Sequence, residues 1–215
     1  MLQDLISVLA RGVAIAAAAG CLTGCEIGGG GGGGSGSQNF GANDPNLYVA
    51  FGDSITAAGS SGSYPAILAA MLGKRVVNEG IPGTTAGFGA ARVDSLLLAY
   101  KPGYLLILYG ANDAIGGDNP TATIGGLRAI IAAAKQNQTV PVLATLTPMF
   151  FGHAAFEGRV EALNIQIRTL ADEEGVSLAD LEKAFGGNPA YLQDDGLHPN
   201  GAGLQVIADT FASAL

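Results

Sequence analysis

From Leu47 to the C-terminus, short apolar runs alternate with longer segments in which apolar residues recur at helical spacing. The runs at 47–51 (LYVAF), 75–78 (RVVN), 104–109 (YLLILY), 140–146 (VPVLATL) and, more weakly, 177–181 (SLADL) have the composition of buried strands. Helical patterns cover 64–72, 90–100, 123–136, 155–174 and 201–214. Strands that alternate with helices are the mark of a parallel sheet covered on both faces, because each crossover lays a helix against the sheet. The pattern therefore predicts an α/β fold, a three-layer α/β/α sandwich with a five-stranded parallel sheet. Right-handed crossovers and a switch point beside the first strand make the flavodoxin-like order 2-1-3-4-5 the expected one.

Upstream of that pattern the chain changes character. Arg11 precedes an apolar stretch, 12–22 (GVAIAAAAGCL), too short to span a hydrocarbon core of about 30 Å as a helix but of the length of a signal-peptide core. It ends in Leu22-Thr23-Gly24-Cys25, which resembles the lipobox of bacterial lipoproteins, and the resemblance implies that Cys25 is lipidated and becomes the mature N-terminus. A glycine tract at 28–34 and the polar residues after it cannot bury enough surface to fold. As a flexible coil of about 20 residues it reaches on the order of 25 Å, which suits a tether. The expected organisation is a signal peptide at 1–24, a lipidated cysteine and tether at 25–45, and one domain at 46–215. The expected location is the bacterial cell envelope, on the membrane through the lipid.

Composition narrows the rest. A chain of 215 residues with 48% hydrophobic content has ample core for a single domain. Ten Lys and Arg stand against 18 Asp and Glu, a formal charge of −8 with no basic run, so the electrostatic footprint of a nucleic-acid binder is missing. Cys21 and Cys25 both precede the domain, which excludes an intradomain disulfide and a zinc site built on cysteine. No HExxH or comparable ligand spacing occurs, so no metal or other cofactor is expected. A monomer is the expected state.

Polar residues that a core has no use for collect in four loops. FGDSIT (51–56) follows the first strand, NEGIPGT (78–84) the second, GAND (110–113) the third, and QDDGLHPN (193–200) lies near the end. Open α/β sheets place their ligands outside the carboxyl ends of their strands, where the first three loops fall. A serine hydroxyl is a weak nucleophile, so Ser54 would require a base, a group to orient the base, and donors for an oxyanion. His198 is one of two histidines and stands three residues after Asp195, close enough for a compact turn to set carboxylate against imidazole. Asp194 is the neighbouring carboxylate and is read as structural or solvent-facing. Ser54 at the head of a helix offers its own N–H to an oxyanion; Gly83 and Gly80 compete as a second backbone donor, and Asn112 offers an amide.

Taken in this order, the four blocks resemble the SGNH hydrolases, the GDSL esterase/lipase family, over essentially all of 47–215, and look most like its small single-domain bacterial members. The resemblance implies that Ser54 is the nucleophile, His198 the base, Asp195 the acid of an Asp-x-x-His motif, and Gly83 and Asn112 the oxyanion donors beside Ser54. It implies a serine hydrolase of short or medium acyl or aryl esters, with thioesters or O-acetylated polysaccharide as further substrates and a binding lipoprotein as the non-enzymatic alternative. The G-x-S-x-G elbow of the α/β-hydrolases is absent around Ser54. Asp53 and Asp113 are expected to cap helices or bond loop amides. His153 is read as a loop residue that can line the site, and Met149, Phe150 and Phe151 as core packing or, functionally, as an apolar wall for an acyl or aryl group at the mouth of the cleft.

Overall fold

The computed structural model describes residues 38–58 and 62–215. Five strands, β1 (Asp44–Gly52), β2 (Arg75–Gly80), β3 (Pro102–Leu108), β4 (Val140–Ala144) and β5 (Ser177–Ala179), form one parallel sheet in the order β2-β1-β3-β4-β5. Among the described residues eight helices connect and cover them: α1 (Ser54–Ala57), α2 (Tyr64–Leu72), α3 (Ala86–Tyr100), α4 (Ala111–Gly116), α5 (Pro120–Gln136), α6 (Glu157–Glu174), α7 (Leu181–Phe185) and α8 (Gly201–Ala214). Helices α3, α5 and α6 pack in series, and α2 and α7 pack on α8. The expected three-layer sandwich and strand order are both observed.

The central strands are legible because they are buried on both faces. Val49, Ala50 and Phe51 of β1 and Leu105, Leu106 and Ile107 of β3 are wholly buried, so neither strand shows the polar alternation of a solvated sheet. The Phe51 ring meets Tyr109 edge to face at 5.2 Å, and Tyr64 stacks on Phe211 at 5.3 Å to lock α2 onto α8. Truncating a buried ring of this kind typically costs about 3–5 kcal/mol. The edge strands β2 and β5 are only partly covered, and their sequence signal is correspondingly weaker.

Several boundaries differ from those expected. β1 begins at Asp44, whose N–H bonds Lys101 O (2.9 Å), and Asn43 Nδ2 donates to Asn137 O (2.6 Å) and Thr139 Oγ1 (3.2 Å). The Phe40 ring lies 5.4 Å from Tyr104. The last residues of the segment read as tether are thus attached to the domain, while the signal-peptide, lipidation and glycine-tract readings lie outside the described residues. β4 stops at Ala144 because the next turn is claimed by α6, where Asn164 Oδ1 accepts from Leu146 N (2.7 Å). β5 stops at Ala179 because Asp180 caps α7, accepting from Lys183 N (3.2 Å). Helix α6 starts at Glu157, after a 3₁₀ turn at Phe151–Phe156. No described helix is long and apolar enough to cross a membrane.

Candidate active site

The chain leaves β1 at Gly52 and enters α1 through Asp53, whose Oδ1 accepts from Ile55 N (2.9 Å) as the N-cap. Ser54 is therefore the first residue of a helix, at the carboxyl end of the sheet. Burial pushes the Asp53 carboxyl up to about 7; the Asp113 charge adds to the rise, and the bond from Ile55 N and the His198 charge oppose it. The cap is thus a structural carboxyl, as expected. Asp113 also caps: it accepts from Ala86 N (3.3 and 3.1 Å), at the start of α3 rather than of its own helix.

His198 reaches Ser54 from the far end of the chain. Its Nε2 lies 3.0 Å from Ser54 Oγ, and its Nδ1 lies 2.6 Å from Asp195 Oδ2. An ionised carboxylate only accepts, so Nδ1 carries the proton and Nε2 is left to accept from the Ser54 hydroxyl. The compact turn expected from the Asp195-x-x-His198 spacing is present. Asp195 Oδ1 accepts from Leu197 N (2.9 Å) and His198 N (3.0 Å), which fixes the carboxylate against the ring. Burial alone would raise the Asp195 carboxyl, but the His198 ring and these two N–H groups together hold it below the usual carboxylate range. Asp194 is exposed, in keeping with its solvent-facing reading.

The loop after β2 separates its two glycines. Gly80 donates its N–H to Asn78 Oδ1 (3.0 Å), and a Cβ on it would collide with the Ala57 backbone, so it serves the packing of β2 under α1. Gly83 has φ +76°, a left-handed conformation that favours glycine, and nothing within 4 Å of the position a Cβ would take. Asn112 sits inside α4 rather than capping it; Gly110 holds the cap position. Its Nδ2 donates to Thr84 O (2.9 Å) and lies 3.4 Å from Asp53 Oδ2. The amide thus spans the residue before Ser54 and the residue after Gly83.

Two supporting side chains carry no signal that sequence alone reveals. His153 donates from Nδ1 to the backbone carbonyl of Asp195 (2.7 Å), and Phe150 N donates to Gly196 O (2.8 Å), so the segment after β4 braces the turn that carries the acid. Arg92 of α3 lies over the Phe51 ring at 4.3 Å and donates to Glu79 Oε2 (3.1 Å), to Glu79 O and to Tyr109 Oη (3.2 Å), tying the ends of β2 and β3 together beneath the site.

The apolar wall read at 149–151 is not found beside Ser54. Met149 is 1% exposed and belongs to the core, and Phe150 is half-buried against it. Of the three, only Phe151 is exposed, at 60% and with φ +47°. A cavity of about 300 Å³ does open at Ser54 and His198, but Ile55, Ala57, Ala58, Pro82, Pro199 and Leu204 line it. Among the described residues no three His, Cys, Asp or Glu side chains are grouped to hold a metal ion.

Known proteins resemble this chain in sequence and fold. The model of the GDSL-like lipase/acylhydrolase family matches residues 50–206. The chain is 32% identical over 184 residues to the thioesterase 1/protease 1/lysophospholipase L1 of Escherichia coli K12, covering 82% of this chain and 86% of that protein. It is 30% identical over 179 residues to an arylesterase of Vibrio mimicus, covering 78% and 86%. Among solved structures, the enzyme LAE5 from the metagenome of Lake Arreo, Spain, superposes with a TM-score of 0.70 at 28% identity, over 81% of this chain and 96% of that one. With the family model spanning residues 50–206, which hold every loop of the site, this chain belongs to the GDSL-like lipase/acylhydrolase family.

Proposed function

We propose that the protein is a serine hydrolase of carboxylic esters, with short-to-medium acyl or aryl esters and thioesters as its substrate class. The single observation that carries the reading is the unbroken run from Asp195 through His198 to Ser54, at 2.6 and 3.0 Å, opening on a cavity at the carboxyl end of the sheet. The E. coli relative is named a thioesterase and lysophospholipase and the Vibrio one an arylesterase, which supports acyl transfer to water through an acyl-enzyme. Ser54 Oγ attacks the carbonyl carbon while His198 Nε2 takes its proton, and Asp195 holds the imidazolium. His198 returns that proton to the leaving oxygen or sulfur. A water then repeats the sequence on the acyl-enzyme, releasing the carboxylic acid and regenerating Ser54. The test is hydrolysis of a p-nitrophenyl ester series, acetate to decanoate, by the full chain and by Ser54→Ala.

The oxyanion is held, in this reading, by Ser54 N–H, Gly83 N–H and Asn112 Nδ2. The 3.4 Å contact from the Asn112 amide to Asp53 is the weaker of its two, and it is the one a developing oxyanion displaces. Asn112→Ala should lower kcat by roughly 10² to 10³ while KM and melting temperature move little. An unchanged kcat would remove Asn112 from the oxyanion site.

We further infer that the protein is exported and held on a membrane by lipid on Cys25. The support is the Leu22-Thr23-Gly24-Cys25 sequence followed by a glycine tract ahead of a domain that presents no membrane-spanning helix among its described residues. Cys25→Ser should move the protein from the membrane pellet to the soluble fraction. A variant that still pellets with membranes overturns the anchor.

A further inference from the structure

An ester presents two unlike groups to a serine hydrolase, and the geometry at Ser54 assigns them to different sides. In the tetrahedral intermediate the oxyanion points at its donors, while the leaving oxygen must lie beside His198 Nε2, which protonates it. The cavity at Ser54 touches His198 and then runs along α1 and the start of α8. Gly83, Asn112 and the 149–151 segment are not among its walls. It therefore opens beside His198, which protonates the leaving group, with Ser54 at its base and Pro82, the neighbour of Gly83, in its wall.

Its walls state what it accepts. Ile55, Ala57, Ala58, Pro82, Pro199 and Leu204 are apolar, and Gln193 adds an amide whose Nε2 already donates to Pro199 O (3.0 Å). At about 300 Å³ it stands at the small end of pockets that hold organic ligands. A sugar ring here would find side-chain partners only at Gln193 and the catalytic pair, and each hydroxyl buried without one costs about 1–3 kcal/mol. An aromatic or compact alkyl group loses nothing by entering.

We propose that the cavity bounded by Ala57, Pro82 and Leu204 is the leaving-group subsite, and that it selects esters of aryl or compact apolar alcohols and thiols. The proposal rests on the serine-hydrolase reading and deepens it. During acylation the Ser54 Oγ–C bond forms and the bond from carbon to the leaving oxygen breaks; the Ser54 proton leaves on the alcohol through His198. The emptied cavity then admits the water that attacks the acyl-enzyme from the same side.

The experiment uses the full chain and two ester series. In one, acetate is joined to methanol, phenol or 1-naphthol; in the other, p-nitrophenol is joined to acyl chains from acetyl to decanoyl. Ala57→Leu fills the cavity and should reduce the kcat/KM ratio of 1-naphthyl to methyl acetate at least about tenfold, the scale of steric exclusion from an apolar pocket. The shape of the acyl-length profile should be retained, because every member of that series carries the same alcohol. Leu204→Val removes one methylene from the opposite wall and should move the alcohol ratio the other way. A shift of the acyl-length optimum with the alcohol ratio unchanged would make the cavity an acyl pocket. Active variants with both profiles unchanged overturn the subsite alone, whereas a wild type inactive on every ester overturns the hydrolase reading and the proposal with it.

Discussion

Ser54→Ala should reduce kcat on p-nitrophenyl acetate by about 10⁶-fold, the loss seen when a serine nucleophile is removed from a triad of this kind. Ser54 Oγ is the one atom that His198 Nε2 can deprotonate at 3.0 Å, and no second hydroxyl is bonded to that nitrogen among the described residues. Alanine keeps the helix start intact, since the α1 cap comes from Asp53 rather than Ser54. The stability change should stay within about 0.5 kcal/mol. His198→Ala should cost a similar factor, and the double variant should be no slower than either single one, because the two groups act as one unit. Residual turnover from the remaining oxyanion donors and from binding should still exceed the uncatalysed rate by about 10³ to 10⁴. A Ser54→Ala protein within tenfold of wild type would show that the hydrolysis takes place elsewhere.

The nucleophile and base are legible in the sequence while their surroundings are not, and the difference follows from where each signal resides. Asp195 and His198 are three residues apart, and the turn that joins them is closed by their own backbone, so the sequence contains the whole device. His153 braces the same turn from 42 residues away, and nothing local marks that contact. The 149–151 triplet stays ambiguous for a related reason: an apolar triplet after a strand says nothing of which side faces the core, and Met149 is buried while Phe151 is exposed. Gly80 and Gly83 compete when only the residues are read, and the family resemblance alone favours Gly83. The structure adds the close passage of α1 over Gly80 and the left-handed φ of Gly83.

The fold shows the same division. β1 and β3 stand out because complete burial removes polar residues from both faces. Helix α3 is expected from residue 90 yet begins at Ala86, through a stretch with Gly87, Gly89 and an exposed Phe88 that reads as loop. It is helical there because Thr85 accepts from Phe88 N (3.4 Å), Asp113 accepts from Ala86 N, and Gly89 gives the Tyr109 ring room. Tertiary contacts override weak local propensity at that point. The start of α5, by contrast, is written locally: Asn119 caps it and Pro120 occupies its first turn, a standard start signal that apolar spacing alone passes over.

Asp195→Asn should lower kcat by about 10⁴-fold, less than loss of Ser54 but far more than loss of Asp194. The carboxamide is nearly the same size, yet its NH₂ can donate to His198 Nδ1, which then has to accept and leaves the proton on Nε2, the nitrogen that must take the Ser54 proton. Wild-type Asp195 is held below the usual carboxylate range, so it stays ionised further into acid than an ordinary carboxylate. Stability carries the matching sign. A carboxylate with a lowered folded-state pKa adds stability that is present above its unfolded value and lost as pH falls through the lowered one. The deficit in melting temperature of Asp195→Asn should accordingly be largest near neutrality and narrow in acid. Asp194→Ala supplies the control, with kcat expected within about twofold of wild type because a surface substitution away from the site costs little. If Asp194→Ala were the crippled variant and Asp195→Asn the mild one, the bond at 2.6 Å between Asp195 and His198 would not be the one that orients the base.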